Sequence, residues 1–115
     1  MIFVIDDDGI MAECIVRAAD KEAQIFFNAI EAMQEITRGT IPELIFLDIL
    51  LDGPDGFTFL NELISYEDTA KIPVVIVSSL DFSKNDLSTY GVVGVLNKDT
   101  MDPKEIRSYV KQYTK

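Results

Sequence analysis

Five short runs of apolar residues constrain most strongly how this chain of 115 residues folds. They occupy positions 2–5, 24–27, 44–47, 73–77 and 92–96. The apolar residues are continuous rather than alternating, apart from Gly94, which interrupts the fifth run. Continuous runs are typical of strands buried on both faces of a parallel sheet. The run at 24–27 is the weakest and the run at 73–77 is the strongest. The sequence therefore predicts five short buried strands.

Amphipathic segments separate these runs. Asn28 and Glu31 form a capping-box pattern that predicts a helix over residues 29–38, which Gly39 ends. A stripe at i, i+3, i+6 and i+7 predicts another helix, through Phe57, Leu60, Leu63 and Ile64. The segment from 81 to 90 fits a helix least well, because it is polar and carries few core residues.

The last segment has a clear helix start. Asp102 fits an N-cap, Pro103 the first helical position and Glu105 the third, and Tyr109 and Tyr113 are predicted to face the core. Strand and helix therefore alternate along the whole chain. This alternation predicts one doubly wound α/β domain with helices on both faces of a parallel sheet.

The charge balance and the absence of histidine from the sequence exclude several classes of partner and of catalytic mechanism. The chain has 20 acidic and 10 basic residues, a formal charge of −10, so nucleic acid and anionic membrane surfaces are disfavoured as direct partners. It has no histidine, which excludes Ser-His-Asp and Cys-His catalysis, the usual zinc enzymes and a phosphohistidine on this chain.

The only cysteine, Cys14, lies in an apolar helical stretch and is predicted to be a buried, inert thiol. It has no partner for an internal disulfide, which fits a reducing compartment. The acidic start MIFVIDDD does not fit a signal peptide, and no apolar run approaches the ~18 residues of a membrane span. We therefore expect a cytoplasmic protein.

Polar residues follow the predicted strands. Asp6-Asp7-Asp8 follow the first, Asp48 the third, Ser78 the fourth and Lys98 the fifth. The carboxyl ends of parallel strands share one edge, where ligands of such sheets bind. Carboxylates brought together there repel one another unless a cation intervenes, and oxygen ligands without histidine or thiolate favour Mg²⁺, Mn²⁺ or Ca²⁺.

This order of residues is similar to a known family. Asp6-Asp7, Asp48 with Asp55-Gly56 downstream, Ser78 and Lys98 resemble the receiver domain of bacterial two-component response regulators. The resemblance covers essentially the whole chain and implies a single receiver domain over residues 1–115. It also implies a flavodoxin-like five-stranded sheet of order 2-1-3-4-5.

The resemblance assigns roles at the acidic edge. Asp48 is the expected phosphoacceptor, forming an aspartyl phosphate. Asp7 and Asp48 are expected to bind Mg²⁺ directly, with Asp6 acting through water and the backbone carbonyl of Leu50 as a further ligand; Mn²⁺ is a possible substitute. The metal offsets the charge of the two anions that meet during transfer.

The resemblance also implies partners and a switch. Lys98 is expected to pair with Asp48 at rest and with the phosphoryl group afterwards, and Ser78 to move and hydrogen-bond that group. The expected donor is a histidine kinase or a histidine phosphotransfer protein. The expected target is a downstream protein or a fused output domain outside this chain. Homodimerisation on phosphorylation is a further outcome that the resemblance allows. The domain is not expected to be a metabolic enzyme; at most it catalyses its own phosphorylation and slow dephosphorylation.

Four positions depart from the usual pattern of the family. Val95 stands where many receivers have an aromatic switch residue, and Asp99 stands where a proline with a cis bond commonly follows the lysine. Asp52 replaces a common proline, and Ser79 replaces a smaller residue. The side chains of Leu50 and Leu80 have no group that could form a hydrogen bond with an attacking water. This predicts a long-lived phosphoaspartate.

Three other functions compete with this interpretation. A degenerate receiver that binds proteins without phosphorylation is favoured by Val95 and Asp99 but opposed by the intact aspartates, serine and lysine. A calcium loop starting at Asp48 is disfavoured, because Leu50 and Phe59 occupy its third and twelfth positions. A phosphatase of the haloacid-dehalogenase group needs an acid at position 50, where leucine stands.

Overall fold

A computed structural model describes residues 1–49, 56–80 and 88–115, and the statements below concern these residues. The strands are β1 (Ile2–Ile5), β2 (Ala23–Phe26), β3 (Leu44–Asp48), β4 (Val74–Ser78) and β5 (Val92–Asn97). The α-helices are α1 (Gly9–Ala19), α2 (Ala29–Thr37), α3 (Gly56–Ile64) and α4 (Pro103–Tyr113), and Ser88–Tyr90 form one turn of 3-10 helix. Most of the least certain predicted helix, over residues 81–90, lies outside the described residues.

The five strands form one parallel sheet of order β2-β1-β3-β4-β5, as the resemblance implied. The register pairs Val4 with Phe46 on one side of β1, and Asp48 with Val77 between β3 and β4. Ser78 then pairs with Asn97 at the end of β5. The carboxyl ends of β1, β3, β4 and β5 therefore lie side by side, which brings together the polar residues that follow them.

Two hydrophobic clusters cover the two faces of the sheet. One, under α2 and α3, contains Phe3 and Leu60; the other, under α1 and α4, contains Phe46 and Ile106. All residues of β1, β3 and β4 are buried, whereas Ala23 to Ile25 of the edge strand β2 are only half-buried. The continuous apolar runs thus arise because these strands are covered on both faces.

The predicted helix starts are confirmed. Asn28 Oδ1 accepts the backbone N–H of Glu31 at 2.9 Å at the start of α2. Asp102 and Glu105 form a reciprocal capping box at the start of α4, with Pro103 in its first turn. These side chains accept N–H groups that have no partner inside the helix, so each fixes where the helix begins.

The prediction of a buried Cys14 is wrong, because the thiol is exposed. On α1 the buried side chains are Ala12, Ile15, Ala18 and Ala19. Cys14 lies roughly 100° or more around the helix from Ala12, Ile15 and Ala19, and roughly 40° from Ala18, the least buried of the four at 8% exposure. The apolar stretch that suggested burial also includes Ile10, which is 80% exposed.

Gly56 brings the start of α3 against the end of β3. Its N–H donates to the carbonyl of Ile49 at 3.1 Å, and a Cβ added there would lie 2.8 Å from Ile49 Cα. Such an approach admits no side chain without a backbone shift. The glycine therefore lets α3 pack directly beside the strand end that carries Asp48.

We expect Gly56→Ala to lower the free energy of unfolding by about 1–3 kcal/mol, the usual cost of overpacking. Urea unfolding measures this change. Gly9→Ala is the matched control, because a Cβ there would meet Phe27 at an ordinary 3.6 Å and should be neutral or slightly stabilising. Equal stability of the Gly56 variant and the wild type would contradict the close approach.

Candidate functional site

Three carboxylates meet at the carboxyl edge of the sheet. Asp6 and Asp7 follow β1 and Asp48 ends β3, and one carboxylate oxygen from each lies within 4.8 Å of the other two. Asp6 and Asp48 are buried, at 1% and 5% exposure, whereas Asp7 is exposed. The predicted convergence of acids from two strands is therefore present.

The turn after β1 positions these acids. The N–H of Asp6 donates to the carbonyl of Phe26 at 3.0 Å, which continues the pairing with β2 by one residue. Asp6 Oδ1 accepts the N–H of Asp8 at 2.9 Å, and Asp8 in turn accepts the N–H groups of Ile10 and Met11 as N-cap of α1. The Asp-Asp-Asp sequence thus turns the chain from strand to helix within three residues and leaves Asp7 exposed at the edge.

Lys98 joins the two buried acids. Its Nζ lies 3.1 Å from Asp6 Oδ2 and 3.1 Å from Asp48 Oδ2. Burial lowers the pKa of Lys98, but the hydrogen bond to Asp48 and the charges of both carboxylates outweigh it and raise that pKa above its ordinary value. The lysine is therefore fully charged at neutral pH.

Burial raises the pKa of Asp6 above its ordinary value, and the charge of Asp48 adds to this effect. The N–H of Asp8 and the Lys98 ammonium oppose it only in part. Among the described residues, Asp6 Oδ2 is also a buried oxygen that accepts no hydrogen bond, although the ammonium lies close. The Lys98 ammonium, which Asp6 shares with Asp48, therefore compensates the buried charge of Asp6 only in part.

These residues fit a divalent cation. The three carboxylates carry three negative charges against the one positive charge of Lys98, which leaves two negative charges uncompensated. Oxygen ligands with no thiolate or imidazole suit a hard cation such as Mg²⁺, Mn²⁺ or Ca²⁺. The backbone carbonyl of Leu50, predicted as a further ligand, lies outside the described residues.

Ser78 lies beside the acids at the end of β4. It is fully buried, and because Asp48 pairs with Val77, it stands one residue further along the neighbouring strand. Its Oγ accepts the N–H of Leu80 at 3.1 Å, and its carbonyl accepts the N–H of Lys98 at 2.9 Å. The hydroxyl hydrogen is then free to donate to a group arriving at the edge.

The last residue of β5, Asn97, is one to which the sequence pattern gave no role. Asn97 Oδ1 accepts the N–H of Asp99 at 2.8 Å, across Lys98. No described peptide bond is cis, so the bond from Lys98 to Asp99 is trans. The spacing Asn-x-Asp is a signal of an Asx turn that sequence reasoning could have used.

We expect Asp6→Asn to stabilise the metal-free protein at pH 7 by about 1–2 kcal/mol, because the site disfavours a negative charge there. A carboxyl group whose folded pKa is raised contributes stability fully below its unfolded pKa, near ~4, and this stability is lost as pH rises through the folded pKa. The advantage of the variant should therefore shrink as pH falls toward 4.

Urea unfolding in EDTA at several pH values measures this difference. Asp68→Asn, at an exposed position, is the control for the loss of one charge. Added Mg²⁺ should stabilise the wild type more than Asp6→Asn. A variant less stable than the wild type in EDTA at pH 7 would contradict the pKa direction.

No helix within the described residues is both long and apolar enough to cross a membrane.

Comparisons with known proteins identify relatives of this chain. The chain matches the response regulator receiver domain family over residues 2–111. It is 26% identical over 112 residues to protein-glutamate methylesterase/protein-glutamine glutaminase 2 of Oleidesulfovibrio alaskensis, an alignment that covers 90% of this chain and 31% of that protein. The chain spans about a third to a half of the length of the first curated relatives it matches.

Solved structures share the fold. The structure of a protein described as a putative response regulator, from Chloroflexus aurantiacus J-10-fl, is 27% identical, with a TM-score of 0.83, and the match covers 97% of this chain and 94% of that one. The Mn²⁺-bound form of response regulator Rcp1 has a TM-score of 0.73 at 21% identity, with 96% and 88% coverage. At that identity the second likeness concerns the fold alone.

Proposed function

Because this chain belongs to the response regulator receiver domain family, we propose that residues 1–115 form one receiver domain that accepts a phosphoryl group on Asp48. The observation that carries the proposal is a buried Asp48 carboxylate 3.1 Å from the Lys98 ammonium and grouped with two further aspartates. The donor is a phosphohistidine of a partner histidine kinase or phosphotransfer protein, because this chain has no histidine of its own.

The chain's own residues supply the nucleophile and its surroundings. An Asp48 oxygen attacks phosphorus, the new P–O bond forms as the P–N bond of the donor breaks, and the released imidazole nitrogen takes up a proton. No protein base is needed, since a carboxylate oxygen attacks without losing a proton. Lys98 lies against the attacking carboxylate and would hold a phosphoryl oxygen once the acyl phosphate forms.

Asp7 and Asp48 would bind Mg²⁺ directly, Asp6 would act through water and the Leu50 carbonyl would complete the protein ligands, with Mn²⁺ as a possible substitute. When bound, the metal offsets the charge of the two anions that must meet. The exposure of Asp7 and the buried, hydrogen-bond-deficient oxygen of Asp6 support this assignment.

Ser78 is the proposed first element of the response. Its hydroxyl would donate to a phosphoryl oxygen and so draw the end of β4 toward Asp48. Val95, at the position where many receivers have an aromatic switch, is half-buried against the cluster under α2 and α3. Because valine has no ring that could rotate, we expect the interaction surface to change through movement of the end of β4 and the loop after it.

We further propose that the changed surface acts on a downstream protein or on an output domain outside this chain, in the cytoplasm. The relatives are two to three times longer than this chain, which supports an output carried elsewhere. Phosphorylation-driven homodimerisation is one form that this output could take.

Incubation with acetyl phosphate and MgCl₂, followed by intact mass spectrometry, tests the proposal. We expect the mass of one phosphoryl group to be added, and the addition to be lost when EDTA replaces MgCl₂. Absence of the added mass in excess metal and donor would instead favour the degenerate receiver, which binds its partners without phosphorylation.

We expect the phosphorylated form to be long-lived, with a half-life of minutes or longer. Leu80 is 49% exposed at the site and, like Leu50, has no side-chain group that could orient a water toward phosphorus. Phosphorylated protein freed of donor by desalting and kept in Mg²⁺ would be followed by intact mass. Leu80→Asn should shorten the lifetime, and loss of the phosphoryl group within seconds from the wild type would contradict this prediction.

A further inference from the structure

The position of the Lys98 ammonium depends on the position of the Lys98 backbone. Lys98 follows β5, whereas Asp6 follows β1 and Asp48 ends β3, with β4 lying between β3 and β5. The lysine side chain is a flexible four-carbon stem with many rotamers. Its ammonium can lie 3.1 Å from both carboxylates only if the Cα of Lys98 is fixed relative to the sheet.

On the strand side, sheet pairing fixes Lys98. Asn97 is the last residue of β5 and pairs with Ser78, and the N–H of Lys98 donates to the carbonyl of Ser78 at 2.9 Å. This bond orients the peptide that enters Lys98. It leaves the peptide that follows unconstrained by the sheet.

On the loop side, Asn97 itself supplies the constraint. Its Oδ1 accepts the N–H of Asp99 at 2.8 Å, and its carbonyl accepts the N–H groups of Met101 at 2.8 Å and Thr100 at 3.2 Å. One residue therefore receives three N–H groups from the three residues that follow Lys98. The loop then leads directly to Asp102, the N-cap of α4.

We propose that Asn97 is a positioning residue for phosphoryl transfer: its side-chain bond to Asp99 fixes the peptide after Lys98 and so aims the ammonium between Asp6 and Asp48. This inference rests on the proposed function. The side-chain bond requires an N–H at position 99, which aspartate has and a proline would lack. The trans peptide before Asp99 and the Asx turn therefore occur together, because both go with a residue other than proline at position 99.

The test compares Asn97→Ala with Asn97→Ser. Alanine removes the acceptor oxygen, whereas serine keeps a neutral oxygen that can accept the same N–H, though more weakly. Three quantities are measured for each protein: the rate of phosphorylation by acetyl phosphate at saturating Mg²⁺, the Mg²⁺ dissociation constant by calorimetry, and the thermal unfolding midpoint.

We expect Asn97→Ala to lower the phosphorylation rate about tenfold, since a misplacement of ~1 Å is enough to slow transfer. The Mg²⁺ dissociation constant should stay within about twofold of the wild type, because the carboxylates that bind the metal are unchanged and the ammonium, although misaimed, is still present beside them. Asn97→Ser should recover most of the rate. This split distinguishes positioning from general loop damage, which would lower rate, metal affinity and unfolding midpoint together.

Three results would overturn the inference: an unchanged rate in Asn97→Ala, a rate loss matched by equal losses of metal affinity and stability, or a serine variant as slow as the alanine variant. The wild type separates this outcome from a failure of the proposed function. If the wild type takes up a phosphoryl group and Asn97→Ala does so equally fast, only the role of Asn97 fails. If the wild type takes up none, the proposed function fails first.

Discussion

Replacing Asp48 with asparagine is expected to abolish uptake of a phosphoryl group while leaving the protein folded. The asparagine amide has nearly the shape of the carboxylate but no negatively charged oxygen, so it cannot act as the nucleophile. Asp48 is 5% exposed at the end of β3, and an isosteric change there preserves packing. Intact mass after incubation with acetyl phosphate and Mg²⁺ should show no added phosphoryl group under conditions that convert the wild type fully.

Asp8→Asn is the matched control for this experiment. It removes the same charge from the same edge of the sheet, and asparagine keeps the N-cap function that Asp8 performs for α1. This control should be phosphorylated as the wild type is. An added phosphoryl group on Asp48→Asn would place the acceptor on another residue and contradict the assignment.

The Asp48→Asn variant also tests how much Asp48 contributes to the stability of the protein. Asp48 is one of three neighbouring carboxylates, so its neutralisation removes repulsion but also removes one partner of Lys98. These effects oppose each other, and the unfolding midpoint should change little compared with the complete loss of phosphorylation. Such a difference in size is typical of a residue whose charge serves chemistry rather than folding.

The architecture could be predicted because its signals are local. A strand buried on both faces needs an unbroken apolar run, and a helix start needs an acceptor side chain at one position, as with Asp102. The order of the strands required the resemblance, because β2 and β3 flank β1 through connections that local patterns do not encode. The convergence of Asp6, Asp7 and Asp48 then followed from the shared edge of a parallel sheet.

Other features depend on angles and long-range contacts that residue patterns do not fix. Cys14 was expected to be buried because its neighbours are apolar, yet its direction around α1 leaves it exposed. Lys98 reaches Asp48 across 50 positions of sequence, so the pairing depends on the whole sheet. The role of Asn97 became visible only from its contacts, although the Asn-x-Asp spacing was present in the sequence.

Replacing Lys98 with methionine is expected to slow phosphoryl transfer about 10²–10³-fold, the usual cost of removing one preorganised charge or donor from a transition state. Methionine keeps the apolar stem and removes only the ammonium. Lys104→Met, on the exposed side of α4, is the matched control and should react at the wild-type rate. The measurement is the rate of phosphorylation by acetyl phosphate in saturating Mg²⁺. An unchanged rate in Lys98→Met would contradict a role of this ammonium in transfer.

The same change should also destabilise the metal-free protein. The carboxylates raise the pKa of Lys98 over the opposing effect of burial, so its stabilisation is complete below the unfolded pKa, near ~10, and is lost only as pH rises through the folded pKa. At pH 7 Lys98 therefore makes its full contribution to the free energy of unfolding, and Lys98→Met removes it. Removing one partner of a buried pair costs about 3–5 kcal/mol, and Lys98, with a side chain 17% exposed, should fall near the lower end.

Mg²⁺ should restore part of that loss, because a divalent cation also neutralises the carboxylates that Lys98 leaves behind. Urea unfolding of Lys98→Met and the wild type, with EDTA and with Mg²⁺, measures both effects. A larger Mg²⁺-induced stabilisation in the variant than in the wild type would mean that lysine and metal neutralise the same charges. Equal stabilisation of the two proteins would contradict this, and would require the metal to bind away from Asp6 and Asp48.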